Sequence, residues 1–100
     1  MAAEGSQGRA LLDARVTLPE HVIFRSFARE TVALNLKTGQ FHGLNVTAGR
    51  MVELIQRSER PRHAIDPLAS EYGVAPEQIE RDLARLLTVL FDRQLIEIDD

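Results

Sequence analysis

Residues able to do chemistry are few in this chain and stand far apart. The only histidines are His21, His42 and His63, and their separation lacks the paired ligand spacing of a zinc site. There is no cysteine, which removes disulfides, thiol nucleophiles and thiolate metal sites together and fits a reducing compartment. Asp99 and Asp100 are adjacent but terminal, a poor arrangement for paired carboxylates that must keep a fixed separation. No phosphate-cradling loop and no nucleophile–base arrangement occurs in the sequence. These features predict a protein that is not an enzyme, takes no cofactor and holds no metal. The run Arg-Ser-Glu-Arg-Pro-Arg from Arg57 to Arg62 concentrates charge and reads as a solvated loop.

Size and composition frame what such a chain can be. Its 100 residues make one domain with one core. A hydrophobic content of 44% and a charged content of 27% are ordinary for a folded globular protein. The net charge of −3 gives no global attraction for phosphates and argues against nucleic acid. The opening MAAEGSQGRALLDAR lacks the continuous apolar stretch of a signal peptide, and no later run approaches a membrane span. A cytoplasmic location with no membrane partner is expected. The small and polar residues at the start predict a flexible tail over residues 1–15, with a single domain filling residues 16–100.

The spacing of apolar residues assigns the elements that must position any site. His21 to Phe27 carries Val22, Ile23, Phe24 and Phe27, types that suit a half-buried strand. Thr31 to Leu36 alternates, with Val32, Leu34 and Leu36 on one face and Thr31, Ala33 and Asn35 on the other. Lys37-Thr38-Gly39 supplies a turn, and Gln40 to Leu44 returns as the next strand. At Asn45 the period changes. Ala48, Met51, Val52 and Ile55 form a helical stripe, with Asn45 or Thr47 as its N-cap. Ile65, Leu68, Ala69 and Tyr72 give a second helix closed by Gly73. Pro76 opens a third, striped by Ile79, Leu83, Leu86, Leu87 and Leu90. Leu95 to Ile98 reads equally as a short strand or a frayed helix.

The fold class expected is therefore α+β: a winged helix-turn-helix, with an N-terminal three-stranded antiparallel sheet packed on three helices. Its core should contain Val32, Leu34, Leu36, Ile55, Leu68, Leu83 and Leu90.

In that order of elements, the stretch VALNLKTGQFHGLNVTAGRMVELI from Val32 to Ile55 resembles the PqqD-like family, the leader-peptide (RiPP) recognition elements. Leu34, Leu36, Gly39, Phe41, Leu44, Asn45 and Gly49 occupy the places of the family pattern. The later EYGVAPEQIERDLARLL also fits it, with a Tyr-Gly-Val turn before the last helix. The resemblance covers roughly Val22 to Ile98. Met51-Val52 departs from it, near where many members carry a bulky aromatic residue.

The resemblance implies a binding module that does no chemistry itself. Members hold the leader region of a ribosomally made precursor peptide as an added strand, in a groove bounded by the third strand and third helix. They present it to a partner such as a radical-SAM enzyme or a leader peptidase. An edge strand with unpaired backbone groups suits that mode. The expected peptide-binding residues are Gln40, Phe41, His42, Gly43 and Leu44 from the strand. From one flank of the third helix they are Asp82, Arg85, Leu86 and Val89. The protein would act as a monomer or homodimer.

The rival reading is a winged-helix DNA-binding regulator. A recognition helix needs basic or amide side chains at its start, whereas this one begins with Glu77, Glu80 and Asp82, opposed by Arg81 alone. Carboxylates there repel a phosphate backbone.

Overall fold

The computed structural model describes residues 8–99. The elements run β1 (Val16–Thr17), β2 (Val22–Ser26), β3 (Glu30–Asn35), β4 (Gln40–Asn45), α1 (Val46–Gln56), a 3-10 turn (Pro61–Ala64), α2 (Ile65–Tyr72), α3 (Pro76–Asp92) and β5 (Glu97–Ile98). Strands β2, β3 and β4 form an antiparallel sheet in sequence order, and β1 pairs with β5. The α+β, winged-helix expectation holds, and the open question at the C-terminus resolves as a strand, with Val16 opposite Ile98.

Local chemistry explains the boundaries. The Asn45 Oδ1 accepts the Ala48 N–H at 2.8 Å, so Asn45 caps α1 and satisfies one of its free amides. Gly73 ends α2 at φ 65° and ψ 37°, a left-handed conformation that a side chain disfavours. Pro76 takes the first turn of α3, where its missing N–H costs least. The core is built on Met51, Val52 and Ile55 of α1, Leu68 of α2, and Ile79, Leu83, Leu87 and Leu90 of α3. Leu86 is only half-buried.

The sheet packs with the face opposite to the one its hydrophobicity suggests. Thr31, Ala33 and Asn35 are 4%, 0% and 6% exposed, whereas Leu36 is 55% exposed and Val32 and Leu34 are half-buried. Val32, Leu34 and Leu36 are therefore not core residues. The reason is the closeness of α1. A Cβ added at Gly49 would overlap Thr31 Oγ1 and lie 2.8 Å from Thr31 Cβ, so only small residues fit between helix and strand. The buried polar atoms are satisfied. Thr31 Oγ1 lies 3.3 Å from Ser26 Oγ, and Asn35 Oδ1 accepts the Lys37 and Thr38 N–H groups at 2.9 and 3.3 Å.

The N-terminal expectation also needs correction. Residues 8–12 are helical, and Leu11 and Leu12 belong to the core. Each buried leucine contributes roughly 1.5–3 kcal/mol, which offsets the entropy of ordering the segment. Gly8 lies so close to α3 that a Cβ there would be 2.6 Å from the Ala84 carbonyl oxygen. Arg62 donates Nε and Nη2 to the Asp13 carboxylate at 2.6 and 3.2 Å. Arg60 donates to the Asp13 carbonyl, and Arg15 to Glu59 at 3.1 Å. The arginine-rich run is thus a clasp on the N-terminal segment rather than a purely solvated loop. Residues 1–7 of the expected tail lie outside the described residues.

Candidate functional site

The strand half of the expected site is one edge of the sheet: among the described residues β4 pairs only with β3. Which of its backbone groups face outward follows from parity. The Leu36 N–H donates to the His21 carbonyl and the Phe27 N–H to the Glu30 carbonyl, both at 2.7 Å. With Ile23 opposite Leu34 and Arg25 opposite Val32, the even-numbered residues of β3 turn their backbone groups to β2. Its odd-numbered residues turn theirs to β4, where Thr31, Ala33 and Asn35 oppose Leu44, His42 and Gln40. Gln40, His42 and Leu44 therefore use their N–H and C=O groups inside the sheet. Phe41 and Gly43 direct theirs away from it.

Side chains alternate in the same way. Gln40, His42 and Leu44 lie on the helix-facing side with Ala33 and Thr31, while Phe41 and Gly43 lie on the outer side. Phe41 is 73% exposed. A Cβ at Gly43 would meet only Glu30 Oε1, at 3.6 Å, so packing within the chain does not require glycine there. At the opposite edge, the first outward amide of β2 is already engaged, since the Val22 N–H donates to the Pro19 carbonyl at 3.0 Å.

The helix half falls on one stripe. Asp82, Arg85, Leu86 and Val89 stand at i, i+3, i+4 and i+7, which share a face. Asp82 and Leu86 are half-buried, and Arg85 and Val89 are exposed. The other flank of α3 is closed. Ala84 and Thr88 are buried there, Gly8 rests on Ala84, and the Thr88 hydroxyl donates to the Ala84 carbonyl at 3.0 Å. Of the two flanks, Gly8 rests on one, and among the described residues the Asp82–Val89 stripe stays open. The principal helical neighbour of β4 is α1, and that of α3 is α2. The structure thus assembles the strand residues along one edge and the helix residues along one stripe, each group by itself.

The strongest electrostatic features lie elsewhere and hold elements together. Arg50 on α1 donates Nε and Nη2 to Glu71 on α2 at 2.9 and 2.8 Å. These bonds hold the Glu71 carboxyl below its ordinary range and push the Arg50 guanidinium up. Hydrogen bonding from Arg62 likewise lowers the Asp13 carboxyl. Among the described residues no three His, Cys, Asp or Glu side chains gather in a way that would hold a metal ion. An open groove of about 780 Å3 lies between the β3–β4 turn, at Asn35, Lys37 and Thr38, and the end of α3, at Phe91 and Asp92. None of the expected site residues lines it.

A family model described as coenzyme PQQ synthesis protein D (PqqD) matches residues 30–96. The chain belongs to the PqqD family. Two solved structures are similar to this family member. One is TbiB1 in complex with the TbiA(beta) leader peptide, 31% identical, covering 81% of this chain and 94% of its own, with a TM-score of 0.73. The other is lasso peptide synthetase B1 complexed with the leader peptide, 27% identical, covering 84% of this chain and 99% of its own, with a TM-score of 0.75. Comparison with curated protein sequences gives no match.

Sequence reasoning named the right strand as an edge but did not distinguish its residues. The outward amides of Phe41 and Gly43 depend on the register with β3, which no side-chain pattern specifies. The signal that bears on it is the length of the β3–β4 turn, because that length sets the register.

Proposed function

We propose that this protein is a non-catalytic module that captures the leader region of a ribosomally made precursor peptide by strand addition on β4. It presents the bound peptide to a modifying enzyme or leader peptidase. The observation that carries this reading is the outward backbone of Phe41 and Gly43, two residues whose amide and carbonyl groups an extended peptide can satisfy. The leader peptides bound in the two similar structures support a leader peptide as the ligand.

The side chains divide the work of recognition. Gln40, His42 and Leu44 border the added strand from the helix-facing side, and Phe41 from the outer side. Across from them, Leu86 and Val89 of α3 offer apolar contact, while Asp82 and Arg85 fix charged groups of the peptide. The resemblance implies that these two halves bound one groove, and the open flank of α3 supports the choice of helix residues. Among the described residues no helix is long and apolar enough to cross a membrane.

The test is an amide-shift titration with the cognate precursor peptide. The expected result is perturbation along Gln40–Leu44, largest at Phe41 and Gly43, together with Asp82, Arg85, Leu86 and Val89. Shifts confined to α1 and the Arg57–Arg62 loop refute the site. Val89→Glu places a charge on the groove wall and is expected to weaken binding while leaving the fold intact.

A further inference from the structure

The outer face of the three-stranded sheet carries an apolar surface that, among the described residues, no other element covers. Ile23, Leu34 and Phe41 stand opposite one another in a row across all three strands, and Arg25, Val32 and Gly43 form the next row. Ile23, Val32 and Leu34 take no part in the core cluster, and Phe27 and Leu36 continue the same face at 63% and 55% exposure. Cations rim it. Arg25, Arg29 and Lys37 are exposed, and among the described residues none of them enters an ion pair. Arg25 and Arg29 stand at the β2–β3 turn end and Lys37 at the β3–β4 turn end, with exposed Glu30 as the acidic residue of β3 on this face. In a chain of net charge −3, three cations to one carboxylate leave the rim of this face positive.

We infer that this face is the docking surface for the enzyme that acts on the held peptide, a partner presenting an apolar patch with an acidic rim. The inference rests on the strand-addition reading and extends it to the partner. Area argues against a second copy of this chain. Three strands about 4.8 Å apart and about 18 Å long make a footprint of roughly 250 Å2, against about 800 Å2 per partner in a stable dimer. A patch that small supports a transient contact. A peptide strand on β4 would enlarge the patch. Every second peptide side chain would join the outer face beside Phe41, so the enzyme would meet module and peptide as one surface. The unpaired arginines and lysine complement an acidic rim and speed encounter.

The experiment measures binding of the cognate leader peptidase or modifying enzyme to the full chain, with and without the precursor peptide. Leu34→Thr and Arg25→Glu lie away from the β4 edge, and melting curves verify their folding. Both are expected to keep the peptide affinity of the parent while weakening enzyme binding, Leu34→Thr by roughly tenfold as an apolar anchor is lost. Arg25→Glu should act mainly on the association rate, most strongly at low salt. Enzyme binding by both variants equal to that of the parent overturns the proposal. So does a tight dimer in sedimentation that Leu34→Thr dissociates, because the occupant is then a second copy. Failure of the parent to bind peptide overturns strand addition alone, and enzyme binding without peptide then still decides the outer face.

Discussion

The two faces of the sheet differ in a way that simple hydrophobicity inverts. The inner face buries Thr31, Ala33 and Asn35, and the outer face leaves Ile23, Val32, Leu34 and Phe41 half or largely in solvent. Size and hydrogen bonding decide between them. The inner face must admit α1 at the close approach of Gly49 to Thr31, and its polar side chains find partners in Ser26 and the β3–β4 turn. The larger apolar residues then fall on the face where no described element constrains their volume. A face occupied by bulky apolar side chains is thus a candidate for contact with another molecule, while the face of small residues makes the core.

The helical layer beneath the inner face gives the largest expected effect. Leu83 is fully buried in it, and Leu83→Ala should cost roughly 2–5 kcal/mol in a denaturant titration. On the outer side Leu36→Ala should change stability by no more than about 0.5 kcal/mol. Similar losses at the two positions would break the comparison.

Gly49 sharpens it next. Gly49→Ala drives a methyl group into Thr31 and should cost roughly 1–3 kcal/mol. The cost should shrink in a Thr31→Ala background, because part of the obstruction is removed. Additive effects in that double-mutant cycle would show that the helix adjusts without meeting the strand.

The free edge comes third. Gly43→Pro removes an outward N–H that the fold does not use, and should weaken peptide binding by roughly two- to tenfold, the worth of one hydrogen bond. His42→Pro is a different experiment. Its N–H points toward β3, so proline there should disrupt the hairpin itself and lower the melting temperature, whereas His42→Ala should be mild. Equal peptide loss in Gly43→Pro and His42→Pro with equal stability would contradict the assigned parity.

The smallest effect concerns the N-terminal clasp. Hydrogen bonding from Arg62 lowers the Asp13 carboxyl below its ordinary value of 3.8. The folded protein therefore binds that proton less readily than the unfolded chain. The contribution is complete above the ordinary carboxylate range and is lost as the pH falls through the lowered value. Both partners are exposed to solvent, so the effect on global stability is small. The protection of amides at residues 8–15, relative to their intrinsic exchange rate at each pH, should fall at acid pH in the parent. Asp13→Asn should remove most of that pH dependence while lowering protection at neutral pH.

Much of the architecture was legible because it rests on local chemistry. The helical stripes, the Asn45 cap, the Gly73 stop and the Pro76 start each follow from residue type and spacing, and the hairpin from its turn. Of the proposed site, the sequence supplied only the outline. The β4 edge and the α3 flank came from the resemblance and the helical period, while the outward pairing of Phe41 and Gly43 depends on a register shared with β3. The N-terminal segment was misread because Leu11 and Leu12 sit among small and polar residues with no period around them. The segment is held where Gly8 meets Ala84 and Asp13 meets Arg62, partners that are distant in sequence.

By itself the sequence determined which segments are helix and strand, where they stop, and that family likeness accompanies a chain poor in catalytic groups. Those properties depend on neighbours along the chain, through backbone sterics, capping and periodic burial. Only the tertiary structure decided which sheet face is inside, which flank of α3 stays open, and which β4 amides point outward. Each of these is settled by how closely two distant segments can approach, and that distance is a property of the packed molecule.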